Sequence, residues 1–447
     1  MNTLAQLKSG ELSGAVRLDL SEQLETFPRE IFDLADSLEV LNLSSNRLCS
    51  LPPDLWRLHK LRILFCSDNA FTDVPAVLGK CSSLEMVGFK ANHIRHLPGE
   101  ALPPALRWLI LTDNQLESIP DEIGRCGRLQ KLMLAGNQLR ALPESLSRCD
   151  RLELVRIAAN RFTALPDWLL SMPRLTWLAF AGNPFSDTIE ADALAQHRMS
   201  AVDRDEITMG DVLGQGASGI IHRADWRRHG QPPQALAAKL FKGALTSDGL
   251  PHSEMAACIT AGRHSNLIRI IGPLADSAEA LPGLLMELID SSYQPLAGPP
   301  SLASCTRDCY DPERRFSVGH VLRIATAVAA AVNHLHQRGI LHGDLYGHNL
   351  LVDPTGDTLL SDFGAASFYT PESELGQALQ RLEARAFGCL LEELLERCSA
   401  DYDDPRISQV HALRRRCLLD HPALRPEFSE LMRVMETIAR TNAVPAS

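Results

Sequence analysis

The chain has 447 residues, 45% of them hydrophobic and 22% charged, which is enough for two or three folded domains of ordinary globular composition. A net charge of −11 with no basic stripe excludes the usual electrostatics of nucleic-acid or anionic-membrane binding. The eleven cysteines are odd in number, irregularly spaced and preceded by no signal peptide, and no run reaches about 18 apolar residues. A reducing, cytoplasmic setting without disulfides or a membrane span is therefore the expectation. Arginine outnumbers lysine 37 to seven, a bias that a GC-rich bacterial coding sequence would give. The arginines at 414, 415 and 416 read as a solvated helix face.

In chain order, the first feature is a repeat. Segments of the form LEVLNLSSN begin at Leu38, Leu61, Leu84, Leu106, Leu129, Leu152 and Leu175, at intervals of 22 or 23 residues, and a degenerate copy begins at Ala15. The pattern L-x-x-L-x-L-x-x-N resembles the leucine-rich repeat family over roughly residues 12 to 190. It implies a solenoid in which each unit lays down one short strand with its leucines inward. Asn46, Asn69, Asn92, Asn114, Asn137, Asn160 and Asn183 then satisfy backbone groups at the turns as a ladder. A proline follows in each unit (Pro28, Pro52, Pro75, Pro98, Pro120, Pro143, Pro166), its fixed φ suiting an extended convex return. Cys81, Cys126 and Cys149 fill a slot that holds leucine or methionine elsewhere and read as small buried hydrophobes. Gln23 replaces asparagine in the first copy, as a terminal cap would. The outward third and fifth strand positions are mostly apolar, where a solvated face would be polar. A protein-binding groove centred on Phe65, Trp108, Ile110, Met133 and Trp177 is expected, the alternative being that the chain's own C-terminal half packs there.

Residues 184–206 read as a capping helix and connector. A strand-like ITMGDVLG then leads into Gly214, Gln215, Gly216, Ala217, Ser218, Gly219 and, two residues on, Ile221. G-x-G-x-x-G is weak by itself; the order of the motifs downstream gives it weight. Lys239 lies on the strand-like ALAAKLF, Glu254 on the helical SEMAACITAGRH, and the strand LLMELI precedes a hinge. The helix VLRIATAVAAAVNHLHQRG, then HGDLYGHN (342–349), Ser361-Asp362-Phe363-Gly364 and RRRCLLDHPALRPEF complete the series. In that order these motifs resemble a eukaryotic-type protein kinase domain over residues 205 to 440. The fold class implied is α/β: a leucine-rich repeat domain with its caps over 1–200, then a two-lobed α+β protein kinase-like domain over 201–447.

The resemblance implies ATP and Mg²⁺ and assigns roles. Backbone amides of 214–219 cover the phosphates, and Lys239, held by Glu254, pairs with the α- and β-phosphates. Asp344 accepts the proton of the acceptor hydroxyl, and Asn349 and Asp362 hold magnesium. The backbone of Glu287 and Ile289 meets adenine, with Met286 lining the pocket.

Several positions depart from the pattern. Gly343 stands where many kinases carry an arginine that meets a phosphorylated activation loop, and only residues 365–371 separate Gly364 from Glu372. Activity independent of phosphorylation at Ser367, Tyr369 or Thr370 is the expectation. Tyr346 replaces the lysine usual in serine/threonine kinases, and His348 the arginine frequent in tyrosine kinases; His348 could supply the missing positive character. Glu383 stands for an aspartate, and Arg425 is expected to pair with Glu372. Residues 291–316 read as a surface insertion beside the active-site mouth, and Cys305 and Cys309 lack a second ligand pair for zinc. The leading expectation is a protein kinase, acting on serine or threonine rather than tyrosine, whose repeats recruit or sense a protein. A pseudokinase scaffold and a small-molecule kinase, suggested by the H-G-D loop, are the alternatives.

Overall fold

The computed structural model describes residues 2–216, 218–243, 245–275, 280–399 and 404–441. The chain divides into two compact units, Met1–Leu175 and Thr176–Ser447. This division falls ahead of the expected boundary at 200/201, so the eighth copy of the repeat and its capping helix go with the second unit.

The first unit opens with α1 (Leu4–Lys8), capped by Thr3. Seven strands follow: β1 (Arg17–Asp19), β2 (Val40–Asn42), β3 (Ile63–Phe65), β4 (Met86–Gly88), β5 (Trp108–Ile110), β6 (Lys131–Met133) and β7 (Leu154–Arg156). They pair parallel in chain order, and the 23-residue period is their register: Val40 faces Ile63, Leu41 faces Leu64 and Asn42 faces Phe65. The central residues of the strands, leucine in five and valine in β4 and β7, are buried, and the asparagine ladder is present. Asn114 Nδ2 donates to the carbonyl of Phe89 at 2.9 Å and its Oδ1 accepts from the Ile94 amide at 2.9 Å; Asn69, Asn92, Asn137 and Asn160 repeat this geometry. Each turn needs a left-handed residue just before the asparagine, supplied by Ser45, Asp68, Ala91, Asp113, Gly136 and Ala159. In the first copy the positive φ falls on Gln23 itself, one place later, as its missing asparagine allows. After the prolines the convex side is made of 3₁₀ turns and one short helix, α2 (Asp167–Leu170). Cys81, Cys126 and Cys149 are buried, and desolvation pushes the first two thiols up to about 11 and the third to about 12.

The second unit begins with β8 (Trp177–Ala179) and α3 (Pro184–Gln196). A five-stranded antiparallel sheet follows: β9 (Ile207–Gln215), β10 (Gly219–Trp226), β11 (Gln234–Phe241), β12 (Ile270–Pro273) and β13 (Gly283–Glu287), in spatial order β12-β13-β11-β10-β9. Ala237, Phe241, Leu284 and Met286 pack with Ile259 of α4 (Pro251–Ala261) on one side; Ala224, Leu236 and Leu285 build a core on the other. The remainder is helical: α5 (Val318–Gln337), α6 (Glu374–Glu396), α7 (Pro405–Cys417) and α8 (Phe428–Arg440). Short strands β14 (Gln294–Pro295), β16 (Leu350–Val352) and β17 (Thr358–Leu360) form one small sheet, and β15 (Ile340–Leu341) with β18 (Ser367–Phe368) another. By length and composition α5 could cross a membrane, but it is mostly buried and packs on α8.

Candidate active site

The cleft is built by strands that must approach closely. A Cβ on Gly219 would lie 2.4 Å from the Leu240 carbonyl, so glycine is needed there for β10 to pair with β11. Gly214 and Gly216 have nothing within 4 Å of such a Cβ and no positive φ. Packing against the described residues therefore does not account for glycine at either, and the open space would admit a ligand close to the backbone. Ala217 lies outside the described residues.

Lys239 on β11 and Glu254 on α4 form a direct ion pair between Nζ and Oε1, with the glutamate side chain buried. Burial opposes the Lys239 ammonium, but Glu254 and Asp362 outweigh it and shift the group upward. Glu254 is under the opposite pressure: burial and Asp362 push it up, and Lys239 is the cation that resists this. Beyond the pair lies the loop between β15 and β16. Asn349 Nδ2 donates at 2.8 Å to both the carbonyl and the carboxylate Oδ2 of Asp344. The Asp344 amide donates to His342 Nδ1, and His342 Nε2 lies 3.0 Å from the Ser361 carbonyl, tying this loop to Asp362 and Phe363. Asp362 has φ of 55°, and its Oδ1 accepts from the Gly364 amide.

A cavity of about 280 Å³ is lined by Gly216, Ser218, Gly219, Ile221, Lys239, Glu254, Met286, Asn349 and Asp362, joined by Leu267, Leu351 and Phe363. Asp344, bonded to Asn349, is not itself among the residues lining the cavity. Glu287 and Ile289 border a neighbouring open depression with Arg263, Arg269 and Tyr293, while Gly214 and Gln215 end β9 directly ahead of Gly216 and are not among the residues lining either space.

Glu383 on α6 holds the loop from below. Its Oε1 accepts from the Gly343 amide at 2.7 Å, and its Oε2 accepts from the His342 amide and lies 2.7 Å from His336 Nε2. Burial would raise this carboxyl, but His336, His342 and the Gly343 amide hold it below its ordinary value. The carboxylate expected at this point of the helix is thus in contact with the loop.

Other expectations are corrected. Arg425 is buried but donates to the carbonyls of Leu419 and Arg381, while Glu372 is exposed; no ion pair joins the two among the described residues. Burial and Arg385 lower Arg425 to about 10. The segment 291–316 is more than a surface insertion. Its Asp308 accepts from the His348 amide at 3.0 Å and lies 2.8 Å from His348 Nδ1, and its Tyr310 hydroxyl donates to Glu393. Burial works against a charged His348, but Asp308 first, then Asp344 and Asp362, shift it upward. Tyr346 is buried and does not face the cavity: its ring stacks on Trp177 at 4.1 Å between centroids and 10° between planes. Trp177 and Met133 are themselves buried and drop out of the expected partner groove. Phe65, Trp108 and Ile110 remain half-buried; Phe65 lies across Gly88, and Lys131 Nζ sits 4.3 Å from the Trp108 ring centroid. Asp308 carries no motif, and Trp177 and Ser367 stand out in the sequence for other reasons; only long-range contacts reveal the parts they play here.

The protein kinase domain family model matches residues 207–386, and the leucine-rich repeat model residues 37–58. The serine/threonine-protein kinase PknB of Mycobacterium leprae is 24% identical over 217 residues, 43% of this chain and 32% of that protein. The tyrosine-protein kinase abl-1 of Caenorhabditis elegans is 25% identical over 241 residues, 47% of this chain and 18% of its own length. The CTD kinase subunit alpha of Schizosaccharomyces pombe is 24% identical over 36% of this chain and 24% of its own length. The chain therefore spans a third or less of the length of these relatives. It carries a leucine-rich repeat towards its N-terminus, followed by a protein kinase domain.

Proposed function

We propose that the chain is an ATP- and Mg²⁺-dependent protein kinase that phosphorylates serine or threonine, with its repeats recruiting or sensing a protein partner. The observation that carries this is the convergence of the Lys239–Glu254 pair, Asn349 and Asp362 on one cavity, with Asp344 bonded to Asn349.

The residues suit the ligands. Open space beside Gly214 and Gly216 admits phosphates to the backbone. The Asp362 carboxylate and the Asn349 carboxamide oxygen form a hard, all-oxygen donor set of the kind magnesium takes together with substrate phosphates. Asn349 already spends its amide hydrogens on Asp344 and keeps that oxygen as a donor atom. Bound there, magnesium would neutralise charge on the phosphates. Lys239, fixed by Glu254, pairs with the α- and β-phosphates, and the Glu287 and Ile289 backbone meets adenine. Asp344 accepts the proton of the attacking hydroxyl, its carboxylate oriented by Asn349.

Serine or threonine is favoured over tyrosine because His348, in the place of the tyrosine-kinase arginine, is turned onto Asp308. Independence from activation-loop phosphorylation is supported by the burial of Ser367 and Tyr369; of the three hydroxyls only Thr370 is exposed. Phe65, Trp108 and Ile110 offer a small apolar patch for a protein partner.

The test is phosphoamino-acid analysis after incubation with labelled ATP, Mg²⁺ and a mixture of generic proteins and aminoglycosides. Label on serine or threonine is expected. Label only on the small molecules, or only on tyrosine, would overturn the corresponding part of this reading.

A further inference from the structure

We propose that residues 176–196, the eighth repeat strand and the helix behind it, act as a positioning strap for the catalytic centre, with Trp177 as its principal residue. The proposal rests on the kinase reading for the roles of Asp344 and Glu254, and adds a part of the machinery that lies outside the matched residues 207–386.

Three residues of this segment reach the catalytic loop, β18 and α4. The Trp177 indole stacks on Tyr346, two residues after Asp344, and its Nε1–H donates to the Leu345 carbonyl at 3.1 Å in a buried setting. The Phe180 amide donates to Ser367 Oγ at 2.9 Å, holding β18 against the same loop through its pairing with β15. On α3, Glu190 Oε1 accepts from Ser253 Oγ at 2.9 Å, and Ser253 precedes the Glu254 that holds Lys239.

The loop is shaped to admit the strap. Gly343 has φ of +72°, and a Cβ there would lie 2.6 Å from the Ala365 carbonyl and 2.7 Å from that of Leu178. Backbone of β8 thus fills the place a side chain would need, and an arginine at 343 could not coexist with it. A stacked aromatic pair plus a buried hydrogen bond fixes both the plane and the depth of a loop. Order that other chains obtain by phosphorylating the activation loop is supplied here by a permanent segment of the same polypeptide.

The test uses the full chain with Trp177→Ala, Trp177→Phe, Tyr346→Leu and Glu190→Ala, read by hydrogen exchange and by turnover per natively folded molecule. Trp177→Ala is expected to speed exchange of amides 340–349 at least about tenfold while α8 keeps its protection, and to lower kcat by about tenfold. Trp177→Phe, which keeps the stack but loses the N–H donor, should recover most of both. Glu190→Ala should loosen 251–261 instead. Should Trp177→Ala fail to fold, Tyr346→Leu, which removes the stack from the other side, decides: a local rise in exchange at 340–349 upholds the strap, and wild-type exchange and turnover would overturn it. If the wild-type chain transfers no phosphate, the kinase reading fails alone, because the exchange measurements judge the strap independently.

Discussion

At Gly343 two carbonyl oxygens and a left-handed φ leave no space for a side chain, so restoring the arginine common in kinases is expected to harm the protein. Left-handed backbone costs about 1–2 kcal/mol for a non-glycine residue, and overpacking adds about 1–3 kcal/mol. Gly343→Arg should therefore lose at least about 2 kcal/mol by denaturant unfolding, and an unchanged midpoint would contradict the packing described. Lys239→Ala leaves Glu254 buried without its cation. A cost of about 3–5 kcal/mol follows if the carboxylate stays charged, less if it takes up a proton; a thermal scan at several pH values reads this, with the loss growing as pH rises. The motif residues Lys239, Glu254, Asp344, Asn349 and Asp362 were legible because their chemistry dictates residue type and order. Trp177 was legible as a groove position to be covered either by a partner or by the chain's own C-terminal half, and it is Tyr346 and Leu345 that cover it. Its partner Leu345 lies 168 positions away, a distance over which no periodicity in the sequence speaks.

Among the elements, α3 carries a pH signature. Burial, helped by Asp187 and opposed by the Ser253 hydrogen bond, pushes Glu190 up to about 7, and His252 Nε2 stands 3.9 Å from it. A carboxyl raised in this way binds its proton more tightly folded than unfolded. Its stabilisation is complete below its ordinary range near 4.5 and is lost as pH rises through about 7, amounting to about 3 kcal/mol at most. Glu190→Gln, which keeps an acceptor for Ser253, should be more stable than wild type at pH 8 and indistinguishable at pH 4.5. A constant difference across that range would refute the assignment. In the repeats, each asparagine bonds across to its neighbour's turn, so Asn114→Ala strands buried backbone groups and should cost about 2–4 kcal/mol in urea. The repeats could be read from their 23-residue period because identical units face identical neighbours. The segment 291–316 could not: Asp308 reaches His348 across 40 positions through a chain with no regular hydrophobic pattern.

In the molecule's second unit the loop 342–349 is held by three separate segments: α6 through Glu383, the 291–316 segment through Asp308, and residues 176–196 through Trp177. With Ser367 bonded to the Phe180 amide and Tyr369 buried, Thr370→Ala should change turnover by less than about twofold; a complete loss would show that phosphorylation of this loop matters after all. The most direct test of the central claim is transfer of label from [γ-³²P]ATP with Mg²⁺ to protein, comparing the wild-type chain with Asp344→Asn and Asp362→Asn. The account predicts transfer by the wild type and a loss of at least about 10²-fold in each variant. Absence of transfer by the folded wild-type chain, or equal transfer by Asp344→Asn, would contradict it.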